Sequence, residues 1–125
     1  MKKVVSTEKA PAALGPYSQA NIVGNLVFTS GMVPINPADG TIPADVKSQA
    51  AQSLNNVKAV LEAAGSSMDN VFKTTVFIKN MDDFGQINEV YATYFNGDFP
   101  SRSCVEVARL PKDVLVEIEA IATLD

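Results

Sequence analysis

The chain has 125 residues, a formal net charge of −4, 46% hydrophobic residues and 19% charged residues. This length and composition are typical of one globular domain, so we expect residues 1–125 to form a single domain without long disordered segments. Proteins that bind nucleic acids usually carry a basic patch, and the only adjacent basic residues here are Lys2 and Lys3, which disfavours that class.

The chain has no histidine and a single cysteine, Cys104. Histidine and cysteine are the preferred zinc ligands, so no zinc site is expected, and a lone thiol cannot form an internal disulfide. The sequence shows no signal peptide, no apolar run long enough to span a membrane and no glycine-rich nucleotide motif. We therefore expect a cytosolic protein with no metal, no organic cofactor and no membrane contact.

The first half of the chain predicts a hairpin followed by a long helix. Residues that favour strands flank Gly24-Asn25 within 21–30, and this pair is a hairpin turn signal. The prolines and glycine of 34–40 predict a loop. Apolar residues then recur at helical spacing from Asp45 to Ala64, and Gly65 is placed to end the helix.

The second half predicts a strand, a helix and two further strands. Val71–Lys79 is rich in β-branched and aromatic residues, whereas 82–95 places apolar side chains on one helical stripe. Strands are predicted at 102–108 and 114–123, with a turn at 110–113. The order β-β-α-β-α-β-β predicts an α+β fold in which two helices cover one face of a mixed sheet. The other face must be solvated or buried against another subunit.

Alternation along the last two strands indicates which side chains share a face. It groups the aliphatic residues on the helix side and places Arg102, Cys104, Glu106, Glu117 and Glu119 on the uncovered side. With a turn centred between residues 110 and 111, Cys104 is expected opposite Glu117 and Arg102 opposite Glu119, and a register shifted by two residues is the open alternative. We thus expect Arg102 and Glu117 to project from the same face, close together.

A structural explanation remains open for each of these residues. Alternating charges on a strand are ordinarily a solvated surface, and cross-strand pairs of this kind contribute only about 0.2–1 kcal/mol. Cys104 is typical of a small buried hydrophobic residue. Tyr17, after Gly15-Pro16, is typical of a loop residue that packs on the core.

A series of short motifs resembles the RidA/YjgF/UK114 family across the whole chain and in one order. They are Gly15-Pro16-Tyr17-Ser18-Gln19, Phe28-Thr29-Ser30-Gly31, Asn56-Val57-Lys58, Ile87-Asn88-Glu89-Val90-Tyr91, Pro100-Ser101-Arg102-Ser103-Cys104-Val105, Ala108-Arg109-Leu110-Pro111-Lys112-Asp113 and Glu117-Ile118-Glu119-Ala120. Each motif alone is weak, whereas the series is specific. One departure is the connection Asn96-Gly97-Asp98, which we expect to be longer in many relatives and which bears on the rim of the ligand pocket.

This resemblance implies a chorismate-mutase-like fold and a homotrimer, in which sheets pack around a central β-barrel and ligand clefts lie between subunits. It also implies an activity. Members of the family hydrolyse 2-imino acids, namely 2-iminobutanoate and 2-iminopropanoate released by pyridoxal-phosphate dehydratases, to the 2-oxo acid and ammonia. No metal or organic cofactor is implied.

The resemblance further implies roles for individual residues. Arg102 is expected to hold the substrate carboxylate, since its planar guanidinium matches two oxygens. Glu117 is expected to activate water and then protonate the leaving nitrogen, with Glu119 as the rival for that role.

The remaining candidate residues are expected to line the pocket. Gly31 would allow close approach of a ligand, and the backbone of Ser30, Gly31 and Cys104 would donate hydrogen bonds. Tyr17 would close the pocket with its ring and hydroxyl. Asn88 has a position near the cleft, with a helix-surface role as the equal alternative. Phe84 would be an apolar wall from a neighbouring chain, with core packing as the equal alternative.

Three other functions stay open at this point. A non-catalytic module that binds a small carboxylate and acts through a protein partner would use Arg102 equally well, although it gains nothing from Glu117. A ribonuclease or translation inhibitor fits poorly with an acidic chain that lacks histidine. A chaperone-like role would depend on exposed hydrophobic surface.

Overall fold

The computed structural model describes all of residues 1–125 and contains six strands and two α-helices. The elements in chain order are β1 (Lys2–Val5), β2 (Ala20–Val23), β3 (Leu26–Thr29), α1 (Val46–Ala63), β4 (Val71–Ile78), α2 (Phe84–Ala92), β5 (Ser101–Glu106) and β6 (Val116–Thr123). The strands form one mixed sheet in the order β1-β2-β3-β6-β4-β5. The predicted α+β fold is therefore confirmed, with β1 as an additional strand that the sequence did not indicate.

The hairpin of β2 and β3 forms around the predicted turn. Val23 pairs with Leu26 at its end, and Gly24 adopts a positive φ of 59°. A left-handed residue at this point matches the twist of two antiparallel strands, and glycine adopts it without a steric penalty. β1 pairs antiparallel with β2 and makes the outer edge of the sheet.

Helix α1 lies where its periodicity predicts it. The Asp45 side chain accepts a hydrogen bond from the backbone N–H of Ser48 at 2.9 Å, which caps the first turn. Gly65 follows the helix with φ of 88°, the left-handed conformation that commonly ends a helix. The apolar stripe of α1, including Leu54 and Leu61, is completely buried against the sheet.

Two polar residues of α1 also fix the chain that follows β3. The hydroxyl of Ser53 donates to the carbonyl of Met32 at 2.7 Å, and the amide of Asn56 donates to the carbonyls of Val33 and Ile35, both at 2.9 Å. Both side chains are buried, so these bonds satisfy groups that water cannot reach. The backbone of residues 32–35 is thereby held against α1.

Helix α2 is shorter than the predicted 82–95. A single 3₁₀ turn at Met81–Asp83 precedes it, and the helix then runs from Phe84 to Ala92. Asn80 opens the 3₁₀ turn by accepting a hydrogen bond from the N–H of Asp82 at 2.9 Å. That side-chain bond stabilises a tight turn over the first residues assigned to the helix, since Asn competes effectively for nearby backbone groups.

The predicted pairing of the last two strands is wrong. β5 pairs parallel with β4, whereas β6 pairs antiparallel with β4 on its other side, so β4 separates the two strands. Helix α2 connects β4 to β5 as a crossover, which places β5 beside β4 in parallel. Residues 107–115 then carry the chain past β4 and do not form a hairpin turn.

This topology also reverses the predicted face of Arg102. Residues paired across neighbouring strands point to the same side of a sheet. Arg102 pairs with Thr74, whose side chain is buried beneath the helices, whereas Glu117 pairs with Phe77 on the uncovered side. Arg102 and Glu117 therefore project from opposite faces, and the prediction that they share a face is wrong.

The uncovered sheet face exposes several apolar side chains. One row across the sheet contains Val4, Asn21 and Phe28, and Val4 and Phe28 are exposed. The side-chain oxygen of Asn21 is shielded in this row and has no hydrogen-bond partner. Val105, which was expected to meet the helices, lies on this face and is 43% exposed.

No helix in the structure has the length and apolar character needed to cross a membrane.

Candidate active site

Arg102 is held against one side of α2 at the edge of the sheet. Its Nη1 donates to Oδ1 of Asn88 at 2.7 Å, and its guanidinium carbon lies 4.8 Å from the ring centre of Tyr91 and 5.4 Å from that of Phe84. These three α2 residues are spaced four and three apart, so they share a helix face. The contacts orient the guanidinium and leave its other N–H groups free to bind an anion.

Cys104 lies beside Arg102 on the same side of β5. Its thiol is free and half-buried. Burial raises the pKa of the Cys104 thiol above its usual value, and the positive charge of Arg102 opposes this effect. The thiol is therefore neutral at physiological pH, in keeping with a lining residue. We call Arg102, Phe84, Asn88, Tyr91 and Cys104 the guanidinium group.

Glu117 lies in a separate cleft of about 590 Å³ on the uncovered side of the sheet. The cleft is lined by the loop before β2, by the residues after β3 and by the middle of β6. These lining residues are Leu14, Gly15, Pro16, Tyr17, Ser30, Gly31, Val33, Pro111, Glu117 and Glu119. We call this the carboxylate cleft, and it contains the predicted residues Tyr17, Ser30, Gly31 and Glu117.

Glu117 is the group in this cleft with a perturbed pKa. Burial raises the pKa of the Glu117 carboxyl above its usual value, and the nearby charge of Glu119 raises it further. Both effects disfavour the ionised form, because the carboxylate loses water and faces a like charge. A carboxyl group with a raised pKa is suited to both accepting and returning a proton.

The loop that carries Tyr17 is fixed by polar contacts. The Tyr17 hydroxyl accepts a hydrogen bond from the N–H of Leu14 at 3.0 Å, while the residue as a whole is 44% exposed. The Ser30 hydroxyl donates to the carbonyl of Ser18 at 2.6 Å. Ser30 therefore anchors the loop with its side chain, and the predicted contribution of its backbone to ligand binding stays a prediction.

Gly31 has a neighbour that the sequence did not predict. The space that a side chain would occupy at Gly31 holds the carboxyl group of Glu117. The glycine thus accommodates a catalytic candidate of the same chain, and the close approach of a ligand to Gly31 stays a prediction.

Within one chain the guanidinium group and the carboxylate cleft do not meet. They lie on opposite faces of the sheet, and β4 stands between the strands that carry Arg102 and Glu117. A ligand that contacts both groups requires two copies of the chain.

Comparisons with known proteins agree with the motifs and the fold. A family model described as Endoribonuclease L-PSP matches residues 7–124. The 2-iminobutanoate/2-iminopropanoate deaminase of Escherichia coli K12 is 57% identical over 98% of each chain, and that of Salmonella typhimurium is 54% identical over the same shares. The chain belongs to the RidA/YjgF family.

Solved structures of RidA/YjgF proteins superpose closely on the chain. The YjgF gene product of E. coli has a TM-score of 0.94 at 55% identity, with 98% of this chain and 99% of that chain covered. E. coli TdcF with bound serine has a TM-score of 0.93 at 52% identity, with coverage of 97% and 98%. The YjgF-type fold expected from the motifs is therefore confirmed.

Two features of this RidA/YjgF chain were not predicted as parts of the site. Tyr91 belongs to the apolar stripe predicted over 82–95, and its ring also contacts Arg102. The buried Gln19 makes four hydrogen bonds to Thr7, Ala10 and Pro11, and so holds the loop that precedes Tyr17. The spacing of Phe84, Asn88 and Tyr91 on one helix face was a signal for the first feature. Gln19 ends the motif that begins at Gly15, but its role in holding the loop was not predicted.

Other parts of this RidA/YjgF structure do not resemble a site for imino acids. A larger cleft of about 690 Å³ lies beyond Leu14 and Tyr17, but its only charged residue is Glu8. No three His, Cys, Asp or Glu side chains are grouped to hold a metal ion. The short connection at 96–98 is bound to Asp69 through Asn96 at 2.9 Å and does not line the carboxylate cleft.

Proposed function

We propose that this protein is a cofactor-independent cytosolic deaminase that hydrolyses 2-iminobutanoate and 2-iminopropanoate to the 2-oxo acids and ammonia. The observation that carries the proposal is that the chain holds both an oriented guanidinium, Arg102, and a half-buried carboxyl group of raised pKa, Glu117. The names of the close relatives from E. coli and S. typhimurium support this substrate class.

Arg102 binds the substrate carboxylate in this proposal. The guanidinium is already oriented by Asn88 and by the rings of Phe84 and Tyr91, so little side-chain entropy is lost when the anion binds. A bidentate contact fixes the carboxylate and, through it, the adjacent C=N bond. The imine carbon then faces the attacking water in one orientation.

Glu117 transfers the protons. As the oxygen adds to the imine carbon, Glu117 takes a proton from the water and passes it to the imine nitrogen, which gives a neutral carbinolamine with a tetrahedral carbon. Glu117 then takes the hydroxyl proton and passes it to the nitrogen, so that ammonia leaves as the C=O bond forms and the carboxyl group ends in its ionised state. The raised pKa of Glu117 lies closer to neutral pH than that of an ordinary glutamate. This favours both steps, because the same group must accept a proton and then give it back.

A second copy of the chain brings the two groups together. We propose that the guanidinium group of one copy faces the carboxylate cleft of the next, in a closed homotrimer whose uncovered sheet faces form a central barrel. The exposed Val4, Phe28 and Val105 and the unpartnered oxygen of Asn21 support burial of this face. A three-fold ring has heterologous interfaces, so opposite faces of the chain contribute to each cleft.

An assay of imine decay tests the proposal. A threonine dehydratase supplies 2-iminobutanoate, and a trapping amine such as semicarbazide reports how much imine remains. Wild-type protein should accelerate decay without added cofactor, and Arg102→Ala should lower this acceleration by roughly 100-fold or more because the substrate loses its anchor.

Arg109→Ala is the matched control, since it removes an exposed arginine whose partner is Asp113. This control should retain wild-type activity. Equal activity of Arg102→Ala and wild type would contradict the proposed carboxylate contact. A wild-type protein that binds 2-oxo acids but leaves imine decay unchanged would instead support the non-catalytic binding module.

A further inference from the structure

The backbone at Gly31 is fixed on both sides. The N–H of Ser30 donates to the carbonyl of Gln19 at 2.9 Å, and the N–H of Met32 donates to the carbonyl of Ile118 at 2.8 Å. Ser53 of α1 holds the carbonyl of Met32 from behind. Gly31 therefore lies in a short segment that is held to the loop before β2, to β6 and to α1.

Glycine is not required here for its conformational freedom. Four glycines of the chain have positive φ, namely Gly24, Gly40, Gly65 and Gly97, and Gly31 is not among them. Any residue would thus be compatible with the backbone of Gly31, and the reason for a glycine at this position is sought in the space around it.

That space is filled by Glu117. A Cβ atom built on Gly31 would lie 2.8 Å from Cδ and 3.0 Å from Cγ of Glu117, and it would overlap Oε2. Such separations are well inside normal van der Waals contact, so a side chain at 31 and the present position of the carboxyl group exclude one another. Because the backbone of 30–32 is held on three sides, the Glu117 side chain is the part that moves.

We propose that Gly31 is a positioning residue for Glu117: its missing side chain creates the slot in which the carboxyl group lies, and this slot sets where the proton-transfer group meets the substrate. The inference rests on the proposed function for its catalytic consequence, whereas the slot itself is a property of the fold. It differs from the earlier interpretation, in which Gly31 makes room for the ligand.

Gly31→Ala tests the slot directly. The added methyl should displace the carboxyl of Glu117 toward solvent, where its pKa falls toward the ordinary value of a glutamate. Carbon NMR of the labelled carboxyl group, followed through a pH titration, measures this shift. Gly85→Ala is the matched control, because a Cβ at Gly85 meets no atom within 4 Å, and it should leave the Glu117 titration unchanged.

A double-mutant cycle in thermal unfolding keeps the test decisive if Gly31→Ala folds poorly. The methyl should lower the melting temperature when Glu117 is present and have little effect in a Glu117→Ala background, where the clashing atoms are gone. An equal loss in both backgrounds, or a Glu117 titration that does not respond to Gly31→Ala, would overturn the inference.

Kinetics separate this inference from the proposed function. If the protein is a deaminase, Gly31→Ala should lower kcat by roughly 10- to 100-fold through misplacement of the carboxyl group, with a smaller change in KM. Wild-type kcat in Gly31→Ala would reject the positioning role alone. Absence of deaminase activity in the wild type would reject the proposed function. The NMR titration and the unfolding cycle would still test whether Gly31 sets the position of the Glu117 carboxyl group.

Discussion

The carboxyl groups of Glu117 and Glu119 line the same cleft, and their arrangement raises the pKa of Glu117. Glu117 and Glu119 are two residues apart on β6, so they project from the same face of the sheet, and both line the cleft. Burial is the main reason that the pKa of Glu117 is raised, and the charge of Glu119 adds to it. Glu119, the rival candidate for the base, thus also raises the pKa of its neighbour Glu117.

This view predicts the effect of Glu119→Gln on the pH profile. Removing a negative charge beside Glu117 stabilises its ionised form, so its pKa falls toward the ordinary value. A general base must be deprotonated to act, and the acidic limb of kcat/KM reports its pKa in the free enzyme. The acidic limb should therefore move to lower pH in Glu119→Gln.

Glu62→Gln provides the control, since it removes the same charge from an exposed position on α1. Its profile should coincide with that of the wild type. An acidic limb that stays in place or moves to higher pH in Glu119→Gln would contradict this view, and one that disappears would assign the titration to Glu119 itself.

At the scale of elements, the β4-α2-β5 unit decides where Arg102 lies. α2 crosses over from β4 and returns the chain to a parallel strand at the sheet edge, so Arg102 meets the face of α2 that carries Phe84, Asn88 and Tyr91. The tight 3₁₀ turn at Met81–Asp83 sets the start of α2. The orientation of the guanidinium is thus a product of local connectivity.

The end of α1 gives a prediction about stability. Gly65 has a positive φ and no neighbour near a potential Cβ, so Gly65→Ala adds backbone strain without a steric clash. A left-handed alanine costs about 1–2 kcal/mol, and we expect the free energy of unfolding to fall by this amount. Gly85→Ala, within α2, should instead raise it by about 0.5 kcal/mol.

Urea denaturation of both variants at one fixed protein concentration measures the difference, because unfolding of the proposed trimer would depend on concentration. Equal urea midpoints for the two alanine variants would contradict the expected backbone strain of an alanine at position 65.

The sequence predicts individual elements well because their signals are local. The Gly24-Asn25 turn, the helical stripe that ends at Gly65 and the strand from Val71 each depend on residues close in the chain, and each prediction is confirmed. The pairing of β5 with β4 is a nonlocal property. Alternation shows which residues share a strand face, but it does not show which face the helices cover, so Arg102 was assigned to the wrong side.

The motifs predicted which residues belong to the site, but they did not predict how those residues are arranged in space. Motif matching identified Tyr17, Gly31, Arg102 and Glu117, and the structure places them in two groups. Which atoms fill the space beside Gly31 depends on a contact between β6 and the end of β3, and no spacing in the sequence encodes that contact. The slot for Glu117 therefore became visible only in three dimensions.

At the scale of the whole molecule, the separation of Arg102 and Glu117 predicts complementation between inactive variants. Arg102→Ala and Glu117→Gln chains should each be inactive as pure assemblies. When equal amounts are unfolded together and refolded, some clefts combine an intact Arg102 from one copy with an intact Glu117 from the next. Random mixing in a closed ring makes about a quarter of the clefts complete.

Imine decay in the refolded mixture measures this recovery. A mixture of Arg102→Ala with the Arg102→Ala/Glu117→Gln chain is the control, since none of its clefts holds an arginine. A mixture of the two single variants that is no more active than its parents would mean that each cleft is built within one chain.

The placement of the two groups on opposite sides of the sheet has a consequence for how the protein behaves on dilution. If Arg102 and Glu117 act together as proposed, a solitary chain cannot apply both of them to one molecule of imine. Activity per milligram should accordingly decline as the protein is diluted below the concentration at which the proposed ring dissociates. Newly made chains would stay latent until they encounter others of their kind.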